Sequence, residues 1–434
     1  MAELLVLVPF YISAWGVGYY GEWLTLTIIP SMLAFADLGF GSSIANTLIL
    51  KYHAQDYEGA NRIAKGGFRL ITKTVIGSIF VSGVVLIVMV ELGLFKKSLI
   101  PQWPAVYAIS CLMLARILDF YQYFFDGYFR SNRKAAESVN LSSVYYSSRL
   151  VSSWLVLFLK GGIIEFGTAN LIVSILYNSW YAQLAKRQIN LSFTNVQVDP
   201  TEMKTIVKKG LAYLMSPIWQ SIFFQGTTLV VRITLGPVAV AVFNTVRTVT
   251  RSLNQLFDLI GSTIFPELQY QIGSGSLGKA RQVFRVSLAF AFFSSLAGVA
   301  VLSFIAPIFY DKWTHNALHP PSSMWYIFYI GIVLNSLWWT GLSVFWAFNK
   351  PGGFTFAGLI GAVISVAISF VLAKYFGLIG AAIGSLSLEV VMVIYILPAS
   401  CKLLQQSLKT FLRELLDDIV KGAAFKIRKN YAKN

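Results

Sequence analysis

The sequence is poor in charge, in cysteine and in histidine. Only 12% of its 434 residues are Asp, Glu, Lys or Arg, whereas soluble domains average about 25%. The two cysteines, Cys111 and Cys401, lie far apart in apolar runs and do not indicate a disulfide framework. The chain has three histidines and contains no P-loop, nucleophile elbow or Cys-x-x-Cys pair. We therefore expect neither an enzyme nor a bound cofactor.

Hydrophobic residues, in contrast, make up 56% of the chain. They form apolar runs of about 20 residues, each long enough to cross a bilayer. The runs are continuous rather than alternating, which favours helices over a membrane β-barrel. The predicted fold class is therefore all-α, a polytopic membrane protein of about 12 transmembrane helices. The predicted spans are 2–18, 23–50, 74–94, 104–126, 138–159, 167–185, 210–233, 239–268, 286–306, 323–347, 354–374 and 378–401.

Lys and Arg are divided unequally between the loops on the two sides. One set of loops, together with the C-terminal tail, holds 25 of them, and the opposite set holds 5. Because cytoplasmic loops carry the excess of Lys and Arg, we expect both termini in the cytoplasm. The net charge of +16 is then mostly a signal of topology, and we expect no nucleic-acid partner.

The chain also repeats itself weakly. A shift of 220 residues aligns Gly16 with Gly236, Ala60 with Ala280 and Phe125 with Phe345. Six spans per half predict two six-helix bundles related by a pseudo-twofold axis along the membrane normal. The expected division is a bundle at 1–185, a cytoplasmic linker at 186–209, a bundle at 210–401 and a tail at 402–434. The same shift places the start of the first span about ten residues before Met1, so we expect an earlier start.

The tail has apolar residues at helical spacing. They include Leu404, Leu408, Phe411 and Leu415, and charged residues interrupt them. This pattern predicts an amphipathic helix on the cytoplasmic surface of the membrane, near anionic lipid headgroups. Membrane lipids are therefore expected partners.

Three short motifs resemble functional sites but lack the required context. The dinucleotide pattern G-x-G-x-x-G occurs at 16–21 and at 273–278, but both copies lie between membrane helices, with no preceding strand. His315 and His319 stand near Asp311 in a predicted extracytoplasmic loop, without a further ligand nearby. We therefore predict no metal site.

Charges inside the spans are the informative feature. An Arg or Asp at mid-membrane costs about 2.5–3.5 kcal/mol and is retained where it faces a bundle interior or a water-filled cavity. Arg116 and Asp119 are three residues apart and could neutralise each other. Arg149 could be anchored by Asp119 or Asp126. The acidic residues Asp37, Asp119 and Asp258 are candidates for ion coupling.

Arg247 and Arg251 are harder to explain by local pairing. They lie one turn apart on one helix face, and their neighbours four residues away, Phe243 and Gln255, carry no negative charge. An Asp of another helix could compensate them, or a bound phosphate-bearing substrate could. Guanidinium suits the second case because its planar fork binds phosphate with two hydrogen bonds. We predict a substrate-binding set of Arg116, Arg149, Arg247 and Arg251, with Arg149, Arg247 and Arg251 lining one cavity.

Three stretches carry a resemblance to a known family. Residues 16–23, Gly-Val-Gly-Tyr-Tyr-Gly-Glu-Trp, and 35–41, Phe-Ala-Asp-Leu-Gly-Phe-Gly, resemble the opening of O-antigen (Wzx-type) polysaccharide flippases. Residues 375–384, Tyr-Phe-Gly-Leu-Ile-Gly-Ala-Ala-Ile-Gly, are similar to the last helix of that family. These flippases belong to the multidrug/oligosaccharidyl-lipid/polysaccharide (MOP) exporter superfamily. The charged approach to the first helix that is typical of the family is missing here.

The resemblance implies two bundles that enclose a cationic cavity in the bacterial inner membrane. The substrate would be an undecaprenyl-diphosphate-linked sugar unit, moved to the periplasmic leaflet by alternating access. The O-antigen polymerase machinery would be a candidate partner. One alternative is an ion-coupled multidrug exporter of the related MATE group, which relies on acidic sites for cations. Another is a non-transporting membrane subunit of polysaccharide assembly.

Overall fold

A computed structural model describes residues 2–33, 39–96, 98–191, 196–348, 350 and 352–418. Within these ranges the protein is built from helices and contains no strand. The chain divides into two compact units, and the boundary falls between Ile218 and Trp219. The protein is thus an all-helical, multi-pass membrane protein, as predicted.

In its described residues the first unit contains nine complete helices and the beginning of a tenth. Its helices are α1 (Ala2–Trp15), α2 (Val17–Leu26), α3 (Ile28–Met32), α4 (Phe40–His53), α5 (Tyr57–Glu91), α6 (Gln102–Leu118), α7 (Phe120–Ser131), α8 (Ala135–Phe158), α9 (Ile163–Lys186) and the first part of α10 (Pro200–Leu235). Aromatic residues dominate its core, with Phe120, Phe124, Phe129 and Tyr181 almost fully buried.

The second unit begins within α10, two residues after Pro217. Proline cannot donate the helical hydrogen bond and commonly kinks a helix. The remaining helices are α11 (Pro237–Arg251), α12 (Asn254–Gly273), α13 (Leu277–Trp313), α14 (Ser322–Ala347) and α15 (Gly352–Leu403). Helix α10 starts at Pro200, about ten residues before the predicted seventh span, so much of the predicted linker 186–209 is helical.

Each predicted span coincides with helical structure, but several spans are broken. In the described ranges, five helical segments are long and apolar enough to cross a bilayer by those criteria alone, and Leu5–Trp15 is a shorter apolar helix. The second span is divided among α2, α3 and α4, the fourth between α6 and α7, and the eighth between α11 and α12. Hydropathy detects the apolar length of a span and is insensitive to these breaks.

Two of the three residue pairs aligned by the internal repeat occupy equivalent local positions. Gly16 and Gly236 precede α2 and α11 with nearly the same backbone angles, φ 79°, ψ 163° and φ 88°, ψ 179°. This region of positive φ strongly favours glycine. Ala60 and Ala280 are each the fourth residue of a helix and are fully buried. The repeat is therefore present in local structure, whereas the axis relating the two halves stays a prediction.

Helix α15 is two helices joined by a sharp turn at Gly377, where φ is 57° and ψ is −137°. The two arms pack closely, since Ser365 Oγ donates to the Gly384 carbonyl at 2.9 Å and Ser369 Oγ to the Ala381 carbonyl at 3.2 Å. A Cβ added to Gly384 would lie 2.3 Å from the backbone of Ser369. Only glycine permits this approach, the usual reason for small residues at membrane helix contacts. The turn separates the predicted eleventh and twelfth spans.

The predicted tail helix is present at 408–418. Phe411 is fully buried, and its ring centroid lies 5.2 Å from that of Phe284 on α13. Arg285 of α13 pairs with Glu414 at 2.5 Å and with Asp418 at 2.8 Å. The apolar face of this helix therefore packs in part on the protein itself, and not only on the lipid surface that we expected.

Candidate functional site

Arg247 and Arg251 lie on the last turns of α11, in the second unit. The helix ends at Arg251 and the chain continues into α12 at Asn254. Arg251 thus lies in the last turn of the helix, where the helix dipole favours positive charge. This position partly offsets the cost of that cation inside a membrane span.

Neutral groups hold the guanidinium of Arg247. It donates to Thr227 Oγ1 and Thr228 Oγ1, each at 2.9 Å, and to the Phe224 carbonyl at 3.3 Å. It also donates to Asn244 Oδ1. Its Cζ lies 5.3 Å from the ring centroid of Phe224 and 5.2 Å from that of Phe243. These contacts fix the side chain without neutralising its charge.

Arg251 has fewer partners. Its Cζ lies 3.9 Å from the ring centroid of Phe224, a close cation–π contact. Its guanidinium donates no hydrogen bond to any residue that the structure describes. Across those same residues no carboxylate oxygen lies within 4.0 Å of either Arg247 or Arg251. The sequence left two ways to compensate the charge of these arginines, an Asp of another helix or a bound phosphate. The described part of the chain contains no direct pair of the first kind.

Both arginines line a cleft inside the second unit. The cleft encloses about 440 Å³ of empty space, its mouth included, and its wall also contains Asn254, Asn335 and Glu389. A neighbouring cleft of about 460 Å³ shares Arg251 and Glu389 and adds Asp258, Trp338 and Trp339. The coupling candidate Asp258 thus lies near this site, although Asp258 itself is exposed.

Glu389 is the acidic residue of the first cleft. Its Oε2 accepts hydrogen bonds from Trp338 Nε1 at 2.5 Å and from Asn335 Nδ2 at 3.2 Å. Its Oε1 accepts none from the described residues. The sequence shows an acid within the last span, but hydropathy could not reveal which helix it faces. Glu389 was therefore missing from the predicted site.

In the first unit, Arg116 and Asp119 pair with each other. The sequence allowed this mutual neutralisation as well as substrate binding by Arg116. Their closest atoms, Arg116 Nη1 and Asp119 Oδ2, lie 3.7 Å apart. Asp119 stands at the break between α6 and α7. Its Oδ1 accepts from Tyr145 Oη at 2.8 Å and from Asn178 Nδ2 at 3.2 Å. A carboxylate so well satisfied has a clear structural role.

Arg149 of α8 is also in the first unit. Its Nε donates to Asn170 Oδ1 at 3.2 Å, and its Cζ lies 5.7 Å from the ring centroid of Tyr145. Asp126, one of its expected anchors, instead pairs with Arg130 at 2.6 Å. Because Arg149 and the α11 arginines belong to different units, their common cavity stays a prediction. Asp37, the remaining coupling candidate, lies outside the described residues.

Comparisons with known proteins identify the fold. No protein-family model matches the sequence, and no curated protein does. The structure is similar to that of an inward-facing multidrug resistance MATE family transporter of the MOP superfamily. The TM-score is 0.77 at 17% identity, covering 94% of this chain and 96% of that chain.

Further solved structures of the same group agree. An outward-facing MATE family transporter of the MOP superfamily gives a TM-score of 0.63 at 15% identity, with 93% and 95% of the two chains covered. A MATE structure in the straight conformation gives 0.61 at 17% identity, covering 94% of this chain and 93% of that chain. The chain therefore has the fold of MOP-superfamily MATE transporters, and these neighbours are transporters rather than enzymes. At this level of identity the likeness shows the fold alone, and it does not distinguish a polysaccharide exporter from a multidrug exporter.

Proposed function

We propose that this protein is a transporter that moves an undecaprenyl-diphosphate-linked O-antigen or polysaccharide unit from the cytoplasmic to the periplasmic leaflet. It acts by alternating access in the bacterial inner membrane, with both termini in the cytoplasm and the O-antigen polymerase machinery as a partner. One observation carries the proposal. The Arg251 guanidinium lines an intramembrane cleft beside Arg247, and neither forms an ion pair within the described chain.

A diphosphate would complete this site chemically. Arg247 is already oriented by Thr227, Thr228 and Asn244, whereas the donors of Arg251 are available to a ligand. A phosphate oxygen pair matches the guanidinium fork. A hydrogen bond between guanidinium and phosphate is stronger in a cleft with little water, because the effective dielectric constant there is low. Two guanidiniums against the single carboxylate of Glu389 leave the first cleft with a formal charge of +1 when that carboxylate is ionised.

A second candidate function has its own supporting observation. The free Oε1 of Glu389, beside the aromatic rings of Trp338 and Trp339, suits an organic cation or a coupling ion. The solved structures with this fold are named as multidrug transporters. An ion-coupled cation exporter of the MATE type is therefore the alternative to be tested. No observation in the described structure favours a non-transporting assembly subunit.

Transport by the purified protein in liposomes distinguishes these functions. We expect it to move a fluorescent oligoprenyl-diphosphate-linked N-acetylglucosamine between leaflets, detected by quenching of the outer leaflet with dithionite. Ethidium supplies the cationic probe, and protein-free liposomes supply the background. Transport of ethidium without the diphosphate lipid would establish the cation exporter. Transport of neither, by folded protein, would indicate the non-transporting subunit.

A further inference from the structure

A third cleft, which the proposed function does not use, lies where α13 ends and α14 begins. Its cavity volume is about 290 Å³. Small-molecule sites commonly measure about 300–1,000 Å³, so this cleft is at the small end of that range. In the predicted topology this cleft opens on the periplasmic side.

Aromatic rings form its wall, and their polar groups are tied away from the opening. Tyr310 and Tyr329 are buried, with 1% and 5% of their surfaces exposed. The Tyr310 hydroxyl is 2.8 Å from Thr245 Oγ1, and the Tyr329 hydroxyl donates to the Leu302 carbonyl at 3.2 Å. The Trp325 ring is perpendicular to that of Tyr310, with centroids 5.3 Å apart. These contacts hold the rings rigidly before any ligand binds.

Polar groups without partners accompany the rings. Asp311 and His319 both line the cleft and are exposed. Neither side chain forms a hydrogen bond or an ion pair with any residue in the described ranges, and the indole N–H of Trp325 finds no acceptor there. The cleft thus combines the ring of Tyr326, which is 64% exposed, with fixed and buried neighbouring rings, and with a carboxylate, an imidazole and an N–H group that lack partners in the described ranges.

We propose that this cleft binds an uncharged sugar ring. A pyranose has C–H faces that pack on aromatic rings, and a rim of hydroxyl groups that a carboxylate and an imidazole can bind. Asp311 disfavours acidic sugars by charge repulsion. A metal ion fits poorly, since no group of three ligating residues exists among the described side chains. The role of the cleft, to hold the glycan of the lipid-linked substrate on the periplasmic side, rests on the proposed function.

Binding of free saccharides tests this site without any lipid. Saturation-transfer difference NMR on the purified full-length protein would use N,N′-diacetylchitobiose and lactose as probes, with glucuronic acid and choline for comparison. We expect saturable binding of at least one of the neutral sugars, and no saturable binding of the two charged compounds. Asp311→Ala removes hydrogen bonds to a charged group, so we expect at least tenfold weaker sugar binding.

Two further variants distinguish a loss of sugar binding from misfolding of the protein. Tyr326→Ala changes a cleft residue that is 64% exposed and should weaken binding without unfolding the protein. Tyr375→Ala, at a tyrosine that is 78% exposed outside the cleft, is the matched control and should bind sugar normally. Equal binding by all variants, or stronger saturable binding of choline than of sugar, would overturn the proposal. Sugar binding that disappears in Asp311→Ala while lipid transport is absent would instead support the cleft and refute the proposed function.

Discussion

Replacement of Arg251 is the sharpest test of the diphosphate site. Arg251 donates no hydrogen bond to the described protein, so its removal leaves no described acceptor unsatisfied. The loss is the cation–π contact with Phe224 at 3.9 Å, about 0.5–2 kcal/mol. Removal of Arg247 would instead break its hydrogen bonds to Thr227, Thr228 and Asn244. Binding and stability are therefore easier to separate at Arg251.

The expected loss of affinity follows from the hydrogen bonds. Two charge-assisted bonds from one guanidinium to a diphosphate contribute about 1.5–3 kcal/mol each. Arg251→Ala should then weaken binding by about 3–6 kcal/mol, roughly a hundredfold to ten-thousandfold. Arg251→Lys retains the charge but loses the planar fork. We expect its affinity to lie between those of Arg251→Ala and the unchanged protein.

The assay is a native mass spectrometry titration of the purified protein with undecaprenyl diphosphate. Undecaprenol, which has the same chain without phosphate, reports binding of the lipid tail alone and should be insensitive to these substitutions. The matched control is Arg413→Ala, because Arg413 is an exposed arginine on the tail helix. Thermal unfolding of each variant verifies that the folded fraction is unchanged.

One result would refute the reasoning. If Arg251→Ala binds undecaprenyl diphosphate within about threefold of the unchanged protein, at equal thermal stability, the guanidinium does not bind the diphosphate. An equal weakening of undecaprenol binding would also contradict the reasoning, because it would show that Arg251 contacts the lipid chain rather than the diphosphate.

The two remaining predictions concern charge and topology. Glu389→Gln retains an oxygen that can accept hydrogen bonds from Trp338 and Asn335, but it removes a negative charge from the cleft. Undecaprenyl diphosphate should therefore bind about fivefold more tightly in the same titration, a gain of about 1 kcal/mol. Unchanged affinity would show that Glu389 does not act on the bound anion. A reporter fused after Asn434 should be cytoplasmic, and one inserted after Asn316, in an exposed turn, should be periplasmic. The opposite pair of locations would contradict the predicted topology.

The length and continuity of the apolar runs were sufficient to predict an all-helical membrane protein. The same information could not locate the breaks within spans. Asp119 illustrates the reason, because its carboxylate is held at the break between α6 and α7 by Tyr145 and Asn178 of other helices. Such a break depends on tertiary contacts between residues distant in sequence, which hydropathy does not report.

The candidate site was predictable in part for a similar reason. The spacing of Arg247 and Arg251 showed that they share a face of one helix, and the structure places them together in one cleft. The partners of Arg247 on α10 and the carboxylate of Glu389 on α15 depend on which helices are neighbours. Which helices are neighbours is determined by tertiary packing. A single sequence could therefore identify the two arginines but not the groups that surround them.

The helix at 408–418 has a consequence for synthesis of the protein. It covers Phe284 with Phe411, while Arg285 holds its acidic residues in place. Since this segment leaves the ribosome after all of α1–α15, the apolar surface around Phe284 stays uncovered until residues 408–418 have been synthesised. A product that stops near Leu403 would keep α1–α15 and leave this surface exposed. Exposed apolar surface promotes aggregation, so the tail helix protects a newly made chain.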